Sequence, residues 1–261
     1  MARIFITGST DGLGRAAARS LMAAGHRVVL HARTTSRVSA IEDLISQCAD
    51  VVTGDLSSAS ETRSVADQVN ALGHMNAIIH NAGVYTVLQR GATPEGHAMT
   101  LAVNTLAPYI LTSLIQPPDR LVFLSSGLHR SGEGSLEDVD WKKRKWDSGK
   151  AYAESKLQVV ALASALAKRW PDVLCNSVDP GWVRTRMGGA NASVDLETGS
   201  GTQSWLAASD EPAAKSSGGY WHHMQQQRPA IEASNPTFQE RLLERLAGLT
   251  GIALPASRRA P

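Results

Sequence analysis

A chain of 261 residues with 43% hydrophobic and 19% charged residues carries enough apolar material for a full core and reads as an ordinary water-soluble globular protein. Its 26 basic and 24 acidic residues are scattered and leave a formal net charge of only +2, so no basic stripe marks a nucleic-acid or membrane surface. Cys48 and Cys175 are the only cysteines, too few for a disulfide framework, and no apolar run approaches the roughly 18 residues of a membrane span. Met1-Ala2-Arg3 runs straight into Ile4-Phe5-Ile6 without room for a targeting segment, so a soluble cytoplasmic protein with reduced thiols is expected.

In chain order, short apolar runs at residues 3–7, 27–31, 50–53, 77–80, 121–125 and 174–178 predict strands, with a weaker candidate at 218–221. Helical periodicity predicts helices over 13–24, 38–46, 59–72, 95–115, 152–170 and 196–208, and a last one over 236–247. Strands rich in Val, Ile and Leu that alternate with helices imply right-handed crossovers. The expected α/β fold is a doubly wound parallel sheet of about seven strands with helices on both faces.

Punctuation supports these elements. Gly25 stands as a stop after the first helix, Thr93-Pro94-Glu95 offers an N-cap with proline at the first helical position, and Pro108 should kink the long fourth helix. Two stretches, 127–150 and 182–201, lack a clear period. Long irregular segments after the carboxyl ends of strands are where such folds build substrate sites, so substrate choice is expected to rest on 84–93, 127–150 and 182–220. Residues 257–261 read as a frayed tail.

Between the first strand and first helix lies Thr7-Gly8-Ser9-Thr10-Asp11-Gly12-Leu13-Gly14. In that context Gly8 allows a tight turn, Gly12 lets backbone amides approach a pyrophosphate, and Gly14 permits close packing of helix on strand. The helix N-terminus adds its partial positive charge. Further on, Tyr152 and Lys156 stand four residues apart, on one face of a helix, where the lysine's charge can make the phenol a usable acid. Taken singly, each feature also suits a purely structural role. Tyr152 and Lys156 could be a helix pair, Ser126 a turn serine and Asn104 a mid-helix amide.

Gly8-x-x-x-Gly12-x-Gly14, Asn81-Ala82-Gly83, Asn104, Ser126, Tyr152-x-x-x-Lys156 and Pro180-Gly181-Trp182-Val183-Arg184-Thr185 occur in one order. Together they resemble the short-chain dehydrogenase/reductase family over residues 3–185. The interval from Ser126 to Tyr152, with Leu124-Ser125-Ser126-Gly127-Leu128-His129, is similar to its retinol dehydrogenase-like branch, which does not make retinol the substrate. The three-residue gap before Gly12 differs from the turn of the extended, epimerase-like branch. The resemblance implies one Rossmann-type domain, with 1–120 mainly binding the cofactor, 121–250 supplying catalytic residues and substrate loops, and 251–261 a tail.

It further implies an NAD(P)(H)-dependent oxidoreductase that interconverts a carbonyl and an alcohol. Ser126 would bond the carbonyl oxygen, Tyr152 would act as general acid/base, Lys156 would favour the phenolate and bind the nicotinamide ribose, and Asn104 would hold a proton-relay water. Gly8, Ser9, Thr10, Gly12, Leu13, Gly14, Asn81, Ala82 and Gly83 fall among the cofactor contacts. Asp55 and Leu56 match the adenine-contacting pair, and Pro180, Gly181, Val183 and Thr185 match the loop that fixes the nicotinamide. The second strand ends in His31-Ala32-Arg33 without the acid that binds an NAD ribose, and Arg33 could pair with a 2′-phosphate. NADP(H) is therefore expected over NAD(H), with Asp11 counting against it.

Family members commonly pair through helices corresponding to 152–170 and 196–208, so a homodimer or homotetramer is an open expectation. The partner is a small carbonyl or alcohol, with no nucleic acid, membrane or metal, since no His/Asp/Glu set, including His129, His222 and His223, has ligand spacing. Trp182, Trp205, Tyr220 and Trp221 suit either an apolar pocket or the core. Cys175 reads as an inert core thiol, and Asp179 stands before Pro180 where a neutral or basic residue is usual. The alternative to an enzyme is a non-catalytic NADP-binding sensor or scaffold on the same fold.

Overall fold

The structure, a computed structural model, describes residues 1–85 and 88–255. The expected tail at 257–261, and residues 86–87 of the 84–93 segment, lie outside the described residues. Strands β1 (Arg3–Ile6), β2 (Arg27–Ala32), β3 (Asp50–Thr53), β4 (Ala77–His80), β5 (Arg120–Leu124), β6 (Leu174–Asp179) and β7 (Tyr220–His222) run parallel in one sheet of order 3-2-1-4-5-6-7. An eighth strand, β8 (Gln225–Gln227), pairs antiparallel with β7. Three glutamines without an apolar face gave it no period to be read by.

The pleat divides the core. Ile4 and Ile6 of β1 share one apolar cluster with Ala17, Ala18 and Leu21 of α1 (Gly12–Ala23) and with Leu206 and Ala207 of α7 (Leu196–Ala208). Phe5, between them, joins the opposite cluster. That side is built from α3 (Ala59–Ala71), α5 (Ala107–Leu114), α6 (Ser148–Arg169) and α9 (Pro236–Thr250). Complete burial of side chains such as Phe5, Ile79 and Phe123 contributes about 1.5–3 kcal/mol each. Cys175 lies in the core of β6, where burial pushes its thiol up, and both cysteines are free. No helix among the described residues is long and apolar enough to cross a membrane.

Three local expectations need correction. Of the helix expected at 38–46, residues Thr35–Ile41 form a 3-10 helix and only α2 (Glu42–Ile45) is α. Local hydroxyl bonds compete there: Thr34 Oγ1 meets Ser36 Oγ at 2.9 Å and Ser39 Oγ donates to the Ser36 carbonyl at 2.9 Å. Thr93-Pro94-Glu95 does not begin a helix. Gly96 has φ +81°, the Thr93 N–H donates to the His97 carbonyl, and Glu95 instead accepts from the Ala59 N–H at 2.7 Å at the start of α3.

The fourth helix thus starts as α4 (Met99–Leu101) and passes through a π-helical stretch, Ala102–Leu106, before α5. Pro108 has no N–H to donate to the Asn104 carbonyl four residues earlier, and the wider turn accommodates that gap. α6 begins four residues before Tyr152, with Asp147 as N-cap accepting from the Lys150 N–H at 3.0 Å. Gly25, at φ +82°, ends the first helix as expected.

Sheet order reverses where β1 is flanked by β2 and β4, so the carboxyl ends of β1 and β4 diverge there. In doubly wound sheets that crevice is the ligand site.

Candidate active site

The glycine turn is locked to its neighbours by three side chains. Thr7 Oγ1 accepts from the N–H groups of Asn81 and Ala82 at 2.9 and 3.0 Å, and Asn81 Nδ2 donates to the carbonyls of Thr7 and Gly8 at 2.9 and 3.2 Å. His31, buried at the end of β2, accepts from the Gly8 N–H through Nδ1 at 3.0 Å. Its Nε2 therefore carries the proton and donates to the Gly54 carbonyl at 2.9 Å. Burial holds this imidazole below the usual histidine range.

Gly8 and Gly12 adopt φ +65° and +50°. A Cβ on Gly14 would stand 2.4 Å from both Asn81 Nδ2 and the Gly8 carbonyl oxygen, and one on Gly8 would stand 3.0 Å from Ala82 Cα. Neither position has room for a side chain, because helix and strand pack closely there. Ser9 is buried and accepts from the His31 N–H at 2.7 Å, so its hydroxyl faces β2. Thr10 is half-buried, and Leu13 packs towards Gly199 of α7. Asp11 caps α1 through the Gly12 N–H at 2.8 Å and pairs with Arg186 at 3.1 Å.

At the edge of the sheet beyond β2, Arg33 is exposed and has no charged partner among the described residues. Asp55 folds its carboxylate back onto the Ser57 N–H at 2.9 Å, and Leu56 is buried. Across the crevice, Gly181 follows Pro180 at φ +80° and Val183 forms a lone parallel bridge with Val194. Thr185 Oγ1 accepts from the Gly188 N–H at 3.0 Å, and Thr185 Cγ2 lies 3.4 Å from where a Gly12 Cβ would be. The 180–185 loop is thus laid against the glycine turn.

The four chemistry-bearing residues converge at the carboxyl ends of β4 and β5. Lys156 is buried and donates to the Leu124 carbonyl at 2.7 Å, with Nζ 5.6 Å from the centre of the Tyr152 ring. A Cβ on Gly83 would stand 3.4 Å from both Lys156 Nζ and Asn104 Oδ1. Asn104 clamps Val84 by its N–H at 2.8 Å and its carbonyl at 2.9 Å, and also donates to Ser155 Oγ at 3.0 Å. Ser126 caps a 3-10 turn by accepting from the Leu128 N–H at 3.2 Å, and interacts with the Tyr152 hydroxyl.

Electrostatics differ from the expectation in one respect. Burial pushes the Tyr152 phenol up to about 12; Ser126 works against that shift while the Asp179 carboxylate and Tyr85 add to it. Lys156, whose ammonium is turned onto Leu124, does not bring the phenol down. Burial lowers Lys156 itself to about 8. Desolvation outweighs charge pairing in this pocket, and the phenol is protonated at neutral pH.

Sequence reasoning missed His31, Ser155 and Tyr85, whose ring lies 4.5 Å from that of Tyr152. None has a motif of its own. Trp205 and Trp221 pack edge to face in the core at 5.1 Å, Trp182 is exposed, and Tyr220 reaches the site.

Known proteins resemble this chain in sequence and in fold. A family model described as enoyl-(acyl carrier protein) reductase matches residues 8–208. The short-chain dehydrogenase chyC of Penicillium rubens is 39% identical over 260 residues, 98% of this chain and 100% of that protein. Human retinol dehydrogenase 13 is 27% identical over 99% of this chain and 87% of its own length. A crystal structure of a protein from Mycobacterium paratuberculosis superposes with a TM-score of 0.85 at 26% identity, covering 98% of this chain and 95% of that one. The chain belongs to the short-chain dehydrogenase/reductase family of nicotinamide-dependent oxidoreductases.

Proposed function

We propose that this oxidoreductase prefers NADP(H) and reduces a small carbonyl compound, with Tyr152 as its proton donor. The observation that carries the reading is the convergence of Ser126, Tyr152, Lys156 and Asn104 beside a tightly packed glycine turn at the N-terminus of α1. Their joint presence argues against a scaffold that has lost turnover.

The residues fit a dinucleotide. Gly8 and Gly12 turn with positive φ at the N-terminus of α1, Gly14 lets that helix pack on Asn81 and Gly8, and Thr185 of the loop that also holds Pro180, Gly181 and Val183 lies against Gly12. Arg33, free of charged partners among the described residues, supports the 2′-phosphate. Asp11, the residue that counts against a phosphate, spends its charge on the Gly12 N–H and Arg186. When bound, the cofactor supplies or accepts the hydride.

Proton delivery belongs to the chain. A phenol near 12 holds its proton at neutral pH, so Tyr152 is ready to donate to a carbonyl oxygen that Ser126 also bonds. Asn104 has committed its side chain to Val84 and Ser155. Its main-chain carbonyl, which receives no N–H from Pro108, is the group proposed to hold the relay water.

The faces of α6 are taken up within the chain. The sheet covers one, while α8 (Ile231–Ser234) and α9 cover the other, with Lys168 Nζ donating to Gln239 at 2.9 Å and Arg169 to Glu240 at 3.0 Å.

A panel of ketones, aldehydes and alcohols with both cofactors tests the reading. NADPH-dependent reduction of at least one carbonyl is expected, with the preference over NADH reduced at least tenfold by Arg33→Asp. Tight NADPH binding without turnover anywhere on the panel would return the protein to the scaffold reading. An unchanged preference would remove Arg33 from it.

A further inference from the structure

Asp179, the last residue of β6, has no role in the proton transfer above, yet its carboxylate stands among the reacting groups. Oδ1 accepts from the Gly181 N–H at 3.0 Å. Oδ2 lies 3.1 Å from where a Cβ on Gly127 would be, against the main chain of the residue after Ser126. Among the described residues its ion-pair neighbour is His222, whose Nδ1 is 3.6 Å from Oδ2 and bonds the Asp179 carbonyl. The side chain is only 15% exposed. Burial is the main cause that raises both Tyr152 and Tyr220, and the Asp179 carboxylate adds to it in each case.

Two buried polar atoms beside it have no hydrogen-bond partner among the described residues. The Tyr220 hydroxyl faces the Asp179 carboxylate without reaching hydrogen-bond geometry, although Tyr220 is 98% buried by its 2% exposure. His223 Nε2, 3.3 Å from a Cβ position on Gly181, has none either. Leaving such groups unpaired costs about 1–3 kcal/mol each, so native structures seldom keep them without a ligand or water.

The backbone holds this cluster in place at a cost. His223 and Met224 form the two-residue turn between β7 and β8 with φ +47° and +60°, a conformation that Asn-Gly adopts easily and these residues do not. Strain of this kind persists where the surroundings fix it, and it concentrates at functional sites. Here Thr202 Oγ1 accepts from the Met224 N–H at 3.0 Å, and the His222 and His223 rings stack at 3.9 Å beside Gly181.

We propose that Asp179 and Tyr220 form a specificity subsite for a hydrogen-bond donor on the substrate, which makes the substrate class carbonyl compounds that bear a hydroxyl or amino group close to the reacting carbon. The inference rests on the carbonyl-reductase reading and adds the substrate class to it. A donor on the substrate would satisfy Oδ2 and engage the Tyr220 hydroxyl. A purely apolar ketone would leave a desolvated carboxylate beside its own carbonyl. Sites built to bond a donor reject the analogue lacking it, because their polar groups are then stranded.

The test uses matched ketones that differ by hydroxyl against methyl, such as 2-hydroxyacetophenone with propiophenone and hydroxyacetone with 2-butanone. The ratio of kcat/KM within each pair is compared between the wild-type enzyme and Asp179→Asn, Asp179→Ala and Tyr220→Phe. Comparing ratios cancels both the intrinsic reactivity of each ketone and any general loss of activity. Asp179→Asn keeps an acceptor for the Gly181 N–H and guards against a disrupted loop. The subsite predicts that the preference for the hydroxyketone falls at least tenfold in both Asp179 variants, through a raised KM, and falls less in Tyr220→Phe. An unchanged ratio with measurable turnover would overturn the subsite alone. Failure of the wild type to reduce any member of any pair would overturn the carbonyl-reductase reading and the subsite with it.

Discussion

Asn104 holds Val84 by both of its main-chain groups, receiving the N–H at Oδ1 (2.8 Å) and donating from Nδ2 to the carbonyl (2.9 Å). This pairing imitates one rung of a sheet and ties the segment after β4 to the π-helical stretch before α5. The same amide reaches Ser155, whose hydroxyl donates to the Tyr152 carbonyl at 2.7 Å, so one side chain sets the cofactor-side loop and the catalytic helix together. Asn104→Ala is expected to lower kcat by about 10²-fold, in the range of a misplaced general acid. It should also cost about 1–3 kcal/mol of stability through the groups left unpaired. Steady-state kinetics and urea unfolding check both effects, and full activity in the variant would remove Asn104 from the account.

His31 positions the glycine turn without belonging to it. Its Nδ1 takes up the Gly8 N–H while Nε2 anchors the ring on Gly54. His31→Ala should weaken NADPH binding at least fivefold while leaving kcat at saturating cofactor within about twofold, because the reacting groups lie elsewhere. Fluorescence titration of NADPH separates the two quantities. A large kcat loss with unchanged affinity would contradict this placement.

Buried neutral histidines should make the fold sensitive to acid. His80, in β4, stacks on Phe123 at 4.7 Å, pairs with Thr112 Oγ1 at 3.0 Å, and is lowered by burial to about 3. Because its folded-state value lies below that of the unfolded chain, its contribution is complete above about pH 6.5 and is lost as pH falls towards 3. The slope is roughly 1.4 kcal/mol per pH unit for each such group. His31 and His129, also lowered by burial, act in the same direction. Urea midpoints should therefore drop between pH 7.5 and 5.0, and less steeply in His80→Gln. Equal slopes in the two proteins would contradict the assignment.

Much of the architecture was legible because burial writes itself into apolar periodicity. Asp50–Thr53, Ala77–His80 and Leu196–Ala208 fall where the pattern put them, Gly8 turns at positive φ, and Gly14 sits where helix packs closely on strand, as their spacing implies. Failures have local causes. Gln225–Gln227 forms a strand through main-chain pairing alone, Glu95 is drawn away to Ala59, and serine and threonine hydroxyls hold Thr35–Ile41 in a tighter helix. In the site, the residues could be named from sequence, but the balance of forces on them could not. Spacing alone suggested that Lys156 would acidify Tyr152, whereas desolvation dominates once the helix is buried. His31 and Asp179 meet their partners only across the fold, so no linear motif announces them.

In the proposed reduction Tyr152 supplies the proton. The most direct measurement is kcat for NADPH-dependent reduction of a carbonyl substrate by Tyr152→Phe, with cofactor saturation confirmed by fluorescence titration. Removing the hydroxyl while keeping the ring preserves the contact with Tyr85, so the variant isolates the proton. The account predicts a fall of about 10²–10⁴-fold, the range expected for loss of a general acid. A kcat within a factor of a few of the wild-type value would contradict it.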